Sequence, residues 1–203
     1  PSNRPQDISP SAGSTFERSY RMDFFEVIQA RRSVRKYRPD PVAAELVDQV
    51  LQAGIMAPSA GNRQPWEFIV VERDAALKQA IMQTTYRGNS WAGGAHQDWL
   101  AQAPVLIVVC ADVQRSMSRY GWQHSQKLIV EDIAAAVENM LLAATALGLA
   151  SCWVGGFDPV ALSTALQLPE MLAPLAILPL GYAAQLATAT AKRNLAEVVR
   201  ARL

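Results

Sequence analysis

A layered α/β or α+β protein is the fold class this sequence predicts, on three observations. Amphipathic segments with helix start and stop signals are interleaved with short, dense apolar runs. Three of those runs, WEFIVVE, PVLIVVCAD and PLAILPLGY, read as strong strands. Their spacing is not a simple strand–helix–strand alternation, so a sheet packed against helices fits better than a βαβ repeat.

The elements follow in chain order. Residues 1–21 are polar and rich in Pro, Ser and Arg, and read as an arm or tail before a domain over 22–203. In DFFEVIQARRS, Asp23 and Glu26 have capping-box spacing, Phe24, Val27 and Ile28 supply an apolar face, and the helix should end near Arg32 or Ser33. A second helix is predicted with Asp40 as N-cap, Pro41 at its first position and Gly54 past its end, burying Leu46, Val47, Val50 and Leu51. The loop APSAGNRQPW leads into the first strand. Residues 74–83 suggest a helix. Residues 84–103, with glycines, two tryptophans and little periodicity, read as a mobile segment or lid. After PVLIVVCAD comes the longest predicted helix, from Ser125 to Gly148, apolar on most faces. Such a helix must be buried on most faces, which in a chain this small suggests a subunit interface. ASCWVGGF is a short strand entering a glycine turn, Asp158 and Pro159 begin a helix ending near Pro169, and the C-terminal part starts loose and ends helix-like.

Bulk properties exclude several classes. The 203 residues suit one domain, half of them apolar and 18% charged, which describes a globular chain. A net charge of +1 gives no general attraction to nucleic acid or to an anionic membrane. The two cysteines, Cys110 and Cys152, form no CxxC pair and read as small buried hydrophobes in a reducing compartment. No secretory signal is visible, and the apolar stretch 128–150 carries Glu131, Asp132 and Glu138, so neither export nor a membrane span is expected. A cytoplasmic location follows as the expectation.

Four segments could carry chemistry. RRSVRKYR places five cations within residues 31–38 with no acid among them. A solvated basic surface, a nucleic-acid patch and a phosphate site all fit that run, the last because guanidinium forks and the Ser33 hydroxyl suit phosphate oxygens. PSAGNRQPW offers a small-residue loop and the amides of Asn62 and Gln64, which suit a heterocycle with mixed donors and acceptors or merely connect a helix to a strand. In WVGGF, Gly155 and Gly156 permit close backbone approach to a flat ligand, or make a tight turn. Lys192 and Arg193 follow a Thr-containing loop. There is no dinucleotide-binding GxGxxG, no phosphate-binding GxxxxGK[ST] and no GxSxG, and His96 and His124 are not at metal-ligand spacing, so no metal is expected. This scarcity of acid–base groups is compatible with reactivity residing in a cofactor.

Taken in order, RRSVRKY, APSAGNRQPWEFIVV, DIAAAVENMLLAATALGL, SCWVGGF and LPLGY with KRNLAEVV resemble the nitroreductase-like family of FMN-dependent oxidoreductases, over Met22 to about Val199. The resemblance implies an α+β, three-layer α/β/α domain with a mixed, largely antiparallel sheet, assembled as an intertwined homodimer with FMN at the interface. It implies that Arg31, Arg32 and Ser33 lie near the FMN phosphate and ribityl, with Arg193 and Lys192 as further basic contacts. Arg35 matches the basic position near flavin N1 and O2. Asn62 and Gln64 match the loop facing the ring. Pro58, Ser59 and Ala60 line the flavin, often from the partner chain. Val154, Gly155 and Gly156 match the segment approaching N5 and O4. No catalytic side chain is assigned, because flavin N5 carries the chemistry. Hydride would pass from NAD(P)H through N5 to a small-molecule acceptor, a nitroaromatic or quinone, by a ping-pong mechanism. Tyr86, Trp91 and Trp99 would cover the open face, or simply pack locally. Two alternatives stand beside this: a flavin-binding store or sensor without turnover, and a dehalogenase-type member. A deiodinase lid would be expected to carry an acid, a tyrosine and a lysine, whereas residues 84–99 hold Tyr86, Arg87 and Asp98 but neither Glu nor Lys.

Overall fold

A computed structural model describes residues 22–88, 95–185 and 187–203. The arm over 1–21 and Trp91 lie outside the described residues. Helices α1 (Phe24–Ala30) and α2 (Ala44–Ile55) precede strand β1 (Trp66–Val71). Helix α3 (Ala75–Gln83), β2 (Val105–Asp112), α4 (Val113–Ala146), β3 (Ala150–Ser151), α5 (Pro159–Ala165), β4 (Leu172–Gly181) and the short α6 (Leu195–Val198) follow.

The four strands form one sheet in the order β1-β2-β4-β3, every neighbouring pair antiparallel. A parallel bridge between Ser33 and Ser151 adds the residues after α1 to the β3 edge, which makes the sheet mixed. Strand β2 is buried along Val105–Ala111, as its unbroken apolar run requires. Its alternation sorts the layers. Val105, Ile107, Val109 and Ala111 pack into a core with α2 and α4, while Leu106, Val108 and Cys110 face the opposite core with α3 and α5. The sheet therefore has helices on both faces. A register shift at Val109/Cys110, where β4 brings Pro174 opposite Cys110, marks a bulge that tolerates the missing proline N–H.

Several predicted boundaries shift, each for a physical reason. The capping box is present, with Glu26 N donating to Asp23 Oδ1 at 2.9 Å and Asp23 N to Glu26 Oε2 at 2.8 Å. Only Val27 of the expected α1 face is buried; Phe24 is 65% exposed and Ile28 44%. Helix α2 begins after Ala43, not Asp40, because residues 36–40 run extended against the end of β4: Arg38 N donates to Tyr182 O, and Asp40 pairs with Arg38. Gly54 sits inside α2, not beyond it, where a Cβ would come within 2.9 Å of Met140 Cγ. The long helix starts twelve residues before the expected Ser125, at Val113 under an Asp112 cap, and is broken at Gly121 (φ 70°, ψ 169°). Finally, residues 95–103 of the expected lid are framework: Leu100 and Ala103 are buried, and Trp99 stacks on Tyr37 at 6.4 Å.

Candidate functional site

The cationic run begins where α1 stops. Arg31 is the C-cap of α1, and the chain then extends, with Val34 N donating to Ser151 O at 3.0 Å. This pairing splits the run by direction. Val34 and Tyr37 turn inward, and the Tyr37 hydroxyl donates to Val34 O at 2.7 Å, while Arg35 and Lys36 stay exposed.

The outward side chains surround two cavities. The first, about 750 Å³, is lined by Arg31, Arg32, Ser33, Arg35 and Lys192, with Thr188 and Thr190 beside them. Four cations and three hydroxyls face this space, and among the described residues no carboxylate lines it. Arg31 is 3.6 Å from Glu138 of α4, and an Arg32 guanidinium nitrogen donates back to Arg31 O at 2.9 Å. Among the described residues, Arg35 and Lys192 have no ion-pair partner. The second cavity, about 840 Å³, shares Arg35 and is walled by Tyr37, Tyr86, Trp99 and Gln97, with Arg87 and Lys36 at its margin.

The glycine pair lines neither cavity, but Gly156 is bonded to two residues that wall the second. Val154 is locked to β4 by two 3.0 Å bonds with Ile177. Gly156 O accepts from Tyr86 N at 2.8 Å and from Gln97 Nε2 at 3.3 Å. Neither Gly155 nor Gly156 has a left-handed backbone, and among the described residues a Cβ on Gly155 would meet nothing closer than Trp153 Nε1 at 3.8 Å and one on Gly156 nothing closer than Tyr86 O at 3.5 Å. Desolvation, and then the nearby Asp158 carboxylate, push the Tyr86 phenol above its ordinary range. Burial pushes the Cys152 thiol up, against the pull of nearby Arg35, and that of Cys110 up to about 12, so neither is a thiolate nucleophile at neutral pH.

Besides the glycine segment, two further groups of candidates line neither cavity. The Arg193 side chain is engaged by its own helix, donating to Glu197 O at 2.6 Å and lying 3.6 Å from the Glu197 carboxylate. Pro58, Ser59, Ala60, Asn62 and Gln64 line neither cavity of their own chain. Their loop sits instead on α4, where Ala60 N donates to Asp132 Oδ1 at 2.8 Å and Arg63 Nε donates to Arg115 O at 2.9 Å. Thr188, Thr190 and Gln97 line the cavities without being predicted site residues. The threonines have a signal, a Thr-containing loop just before Lys192, and Lys36 belongs to the cationic run, but Gln97 is recognisable only from what it faces.

A cavity of cations and hydroxyls without acids suits a phosphate, and an aromatic-walled space sharing one arginine with it suits a planar ring attached to that phosphate. The residues present therefore fit a flavin mononucleotide. Comparisons with known proteins bear on the same region. A Methanothermobacter thermautotrophicus protein carrying the provisional name NADH dehydrogenase/NAD(P)H nitroreductase is 36% identical over 169 residues, covering 81% of this chain and 80% of that one. The Bacillus subtilis FMN reductase [NAD(P)H] is 33% identical, covering 78% of this chain and 66% of its own. A nitroreductase-type protein from Desulfovibrio desulfuricans, solved in complex with FMN, superposes with a TM-score of 0.77 at 30% identity, covering 90% and 98% of the two chains. The profile of the nitroreductase family matches residues 28–182, from the end of α1 through the whole sheet, and this chain belongs to the nitroreductase family.

Proposed function

We propose that the protein is an NAD(P)H-dependent FMN oxidoreductase that reduces an electron-poor small molecule, a nitroaromatic or a quinone. One observation carries this reading: among the described residues four cations and no acid line one cavity, and Arg35 joins it to a second cavity walled by Tyr37, Tyr86 and Trp99. FMN, when bound, supplies the centre that takes up hydride and passes it on. The chain's part is binding and electrostatics. Arg31, Arg32, Arg35 and Lys192 would hold the phosphate end with Ser33. Arg35, at the junction, would stabilise negative charge arriving on the ring; a guanidinium about 4 Å from such a charge contributes roughly 4 kcal/mol at an effective dielectric near 20. The backbone at Val154–Gly156 would orient the ring, and Tyr86 and Trp99 would wall the space left for donor and acceptor. Arg193 is held by Glu197 in the single chain and would serve the phosphate only after exchanging that partner.

The working unit we infer is a homodimer. Its support is the loop carrying Pro58, Ser59, Ala60, Asn62 and Gln64, which faces neither cavity of its own chain, and the apolar side chains left open on α1 and α6. The purified protein should be yellow, or become so with added FMN, and NADH or NADPH should bleach its visible absorbance under anaerobic conditions until a quinone restores it. A colourless protein that takes up no FMN overturns the proposal. A yellow protein that neither donor bleaches makes it a flavin carrier without turnover.

A further inference from the structure

The loop Ser59–Gln64 holds an expensive backbone. Gly61, Asn62 and Gln64 are all left-handed, at φ 54°, 53° and 49°. Only glycine takes that region without penalty, so Asn62 and Gln64 stay there because their surroundings hold them. Gly61 has a second constraint, since a Cβ would lie 2.4 Å from the Tyr120 hydroxyl. Internally, Asn62 N donates to Ser59 O and Gln64 N to Ser59 Oγ, both at 2.9 Å.

The outside of the loop is held from both sides of the break in α4 at Gly121. Before the break, Arg63 Nε donates to Arg115 O at 2.9 Å, and Arg115 Nε returns the bond to Arg63 O at 3.1 Å. After the break, Asp132 Oδ1 accepts the Ala60 amide at 2.8 Å. Asp132 is 6% exposed, and among the described residues its second oxygen, Oδ2, has no hydrogen-bond partner. A carboxylate this deep is costly, and the neighbouring positions of α4, Ile133 and Ala136, show that small and apolar residues satisfy the packing there. Among the described residues, the hydrogen bond that distinguishes Asp132 from an apolar residue goes to Ala60, the first residue of the turn that sets Asn62.

We propose that Asp132 is a positioning residue for the flavin: it fixes the strained loop, and through it the amides of Asn62 and Gln64, in the geometry that meets the ring. This rests on the proposed role of that loop at FMN. Asp132 lines neither cavity, and among the described residues its hydrogen bond goes to the Ala60 backbone, so it acts through the backbone and not as an acid or base.

The test uses the full-length protein and two readouts, amide hydrogen exchange of the unloaded form and the dissociation constant for FMN. Asp132→Ala should speed exchange over residues 58–64 by about tenfold or more while β2 stays protected, and weaken FMN binding by about tenfold or more. Asp132→Asn keeps an acceptor oxygen for Ala60 N–H and should stay within about threefold of the parent in both. Ala60→Pro removes the donor without touching α4; the extended conformation of Ser59 (φ −140°, ψ 153°) is the one a following proline prefers, so this variant should fold and reproduce the Asp132→Ala result even if that one does not fold. Unchanged exchange over 58–64 in the Ala and Pro variants overturns the positioning role. A loosened loop with parental FMN affinity overturns the loop's part in holding flavin, whereas a parent protein that never binds FMN would instead sink the functional proposal itself.

Discussion

Arg35 and Lys192 face the same cavity without ion-pair partners among the described residues, yet they should behave differently when removed. Only Arg35 also borders the second cavity. Arg35→Ala should lower the flavin midpoint potential and slow reduction by NAD(P)H, since each 1.4 kcal/mol or so of lost charge stabilisation is about tenfold in rate. Lys192→Ala should chiefly weaken FMN retention and leave the potential near that of the parent. Redox titration and FMN titration of both variants separate the roles; equal effects on both quantities refute the division. The identity of the basic residues was legible in the sequence as a dense run. Which of them point into a cavity was not, because that depends on where α1 stops and on the bridge from Ser33 to Ser151. Arg193 shows the same limit, since its nearest partner, Glu197, is a helix turn away and competes with any ligand for the guanidinium.

At the scale of elements, caps were the most readable feature. Asp158 accepts from Val160 N at 2.9 Å and Ala161 N at 3.0 Å to start α5, and its carboxylate also lies near Tyr86, which lines the second cavity. Asp158→Ala should cost about 1 kcal/mol for the lost cap, seen as a melting temperature lower by roughly 2–4 °C in a chain of this size. It should also raise the KM for the acceptor more than it weakens FMN binding; a variant with parental melting temperature and KM refutes both roles. The long helix was only half legible. Its second part announces itself through alanines and aliphatics, but Val113–Tyr120 is polar enough to pass for loop, and Gly121 hides the continuity. Residues 95–103 misled in the other direction. Their lack of periodicity reads as mobility, but they are pinned by Gln97 N to Thr85 Oγ1 at 3.0 Å and by the burial of Leu100, contacts made across the chain.

For the molecule as a whole, several large apolar side chains on or beside its helices lie exposed. Phe24 and Phe25 on α1, Met56 after α2, Trp122 on α4 and Leu195 on α6 are each at least 59% exposed. Light scattering after size exclusion should give twice the 22.1 kDa chain mass, and replacing Phe24 and Phe25 by serine should shift the protein toward monomer and weaken FMN binding together. A monomer that binds FMN as tightly as the parent refutes an interfacial site. The sequence by itself determined the layered α+β class, the buried central strand and the residue types that suit a flavin phosphate, because periodicity, caps and charge density are local properties. Only the tertiary structure decided that Arg31, Arg32, Arg35 and Lys192 meet in one cavity while the Asn62 loop turns away onto α4. Those placements depend on contacts between residues up to about 160 positions apart, which no local pattern encodes.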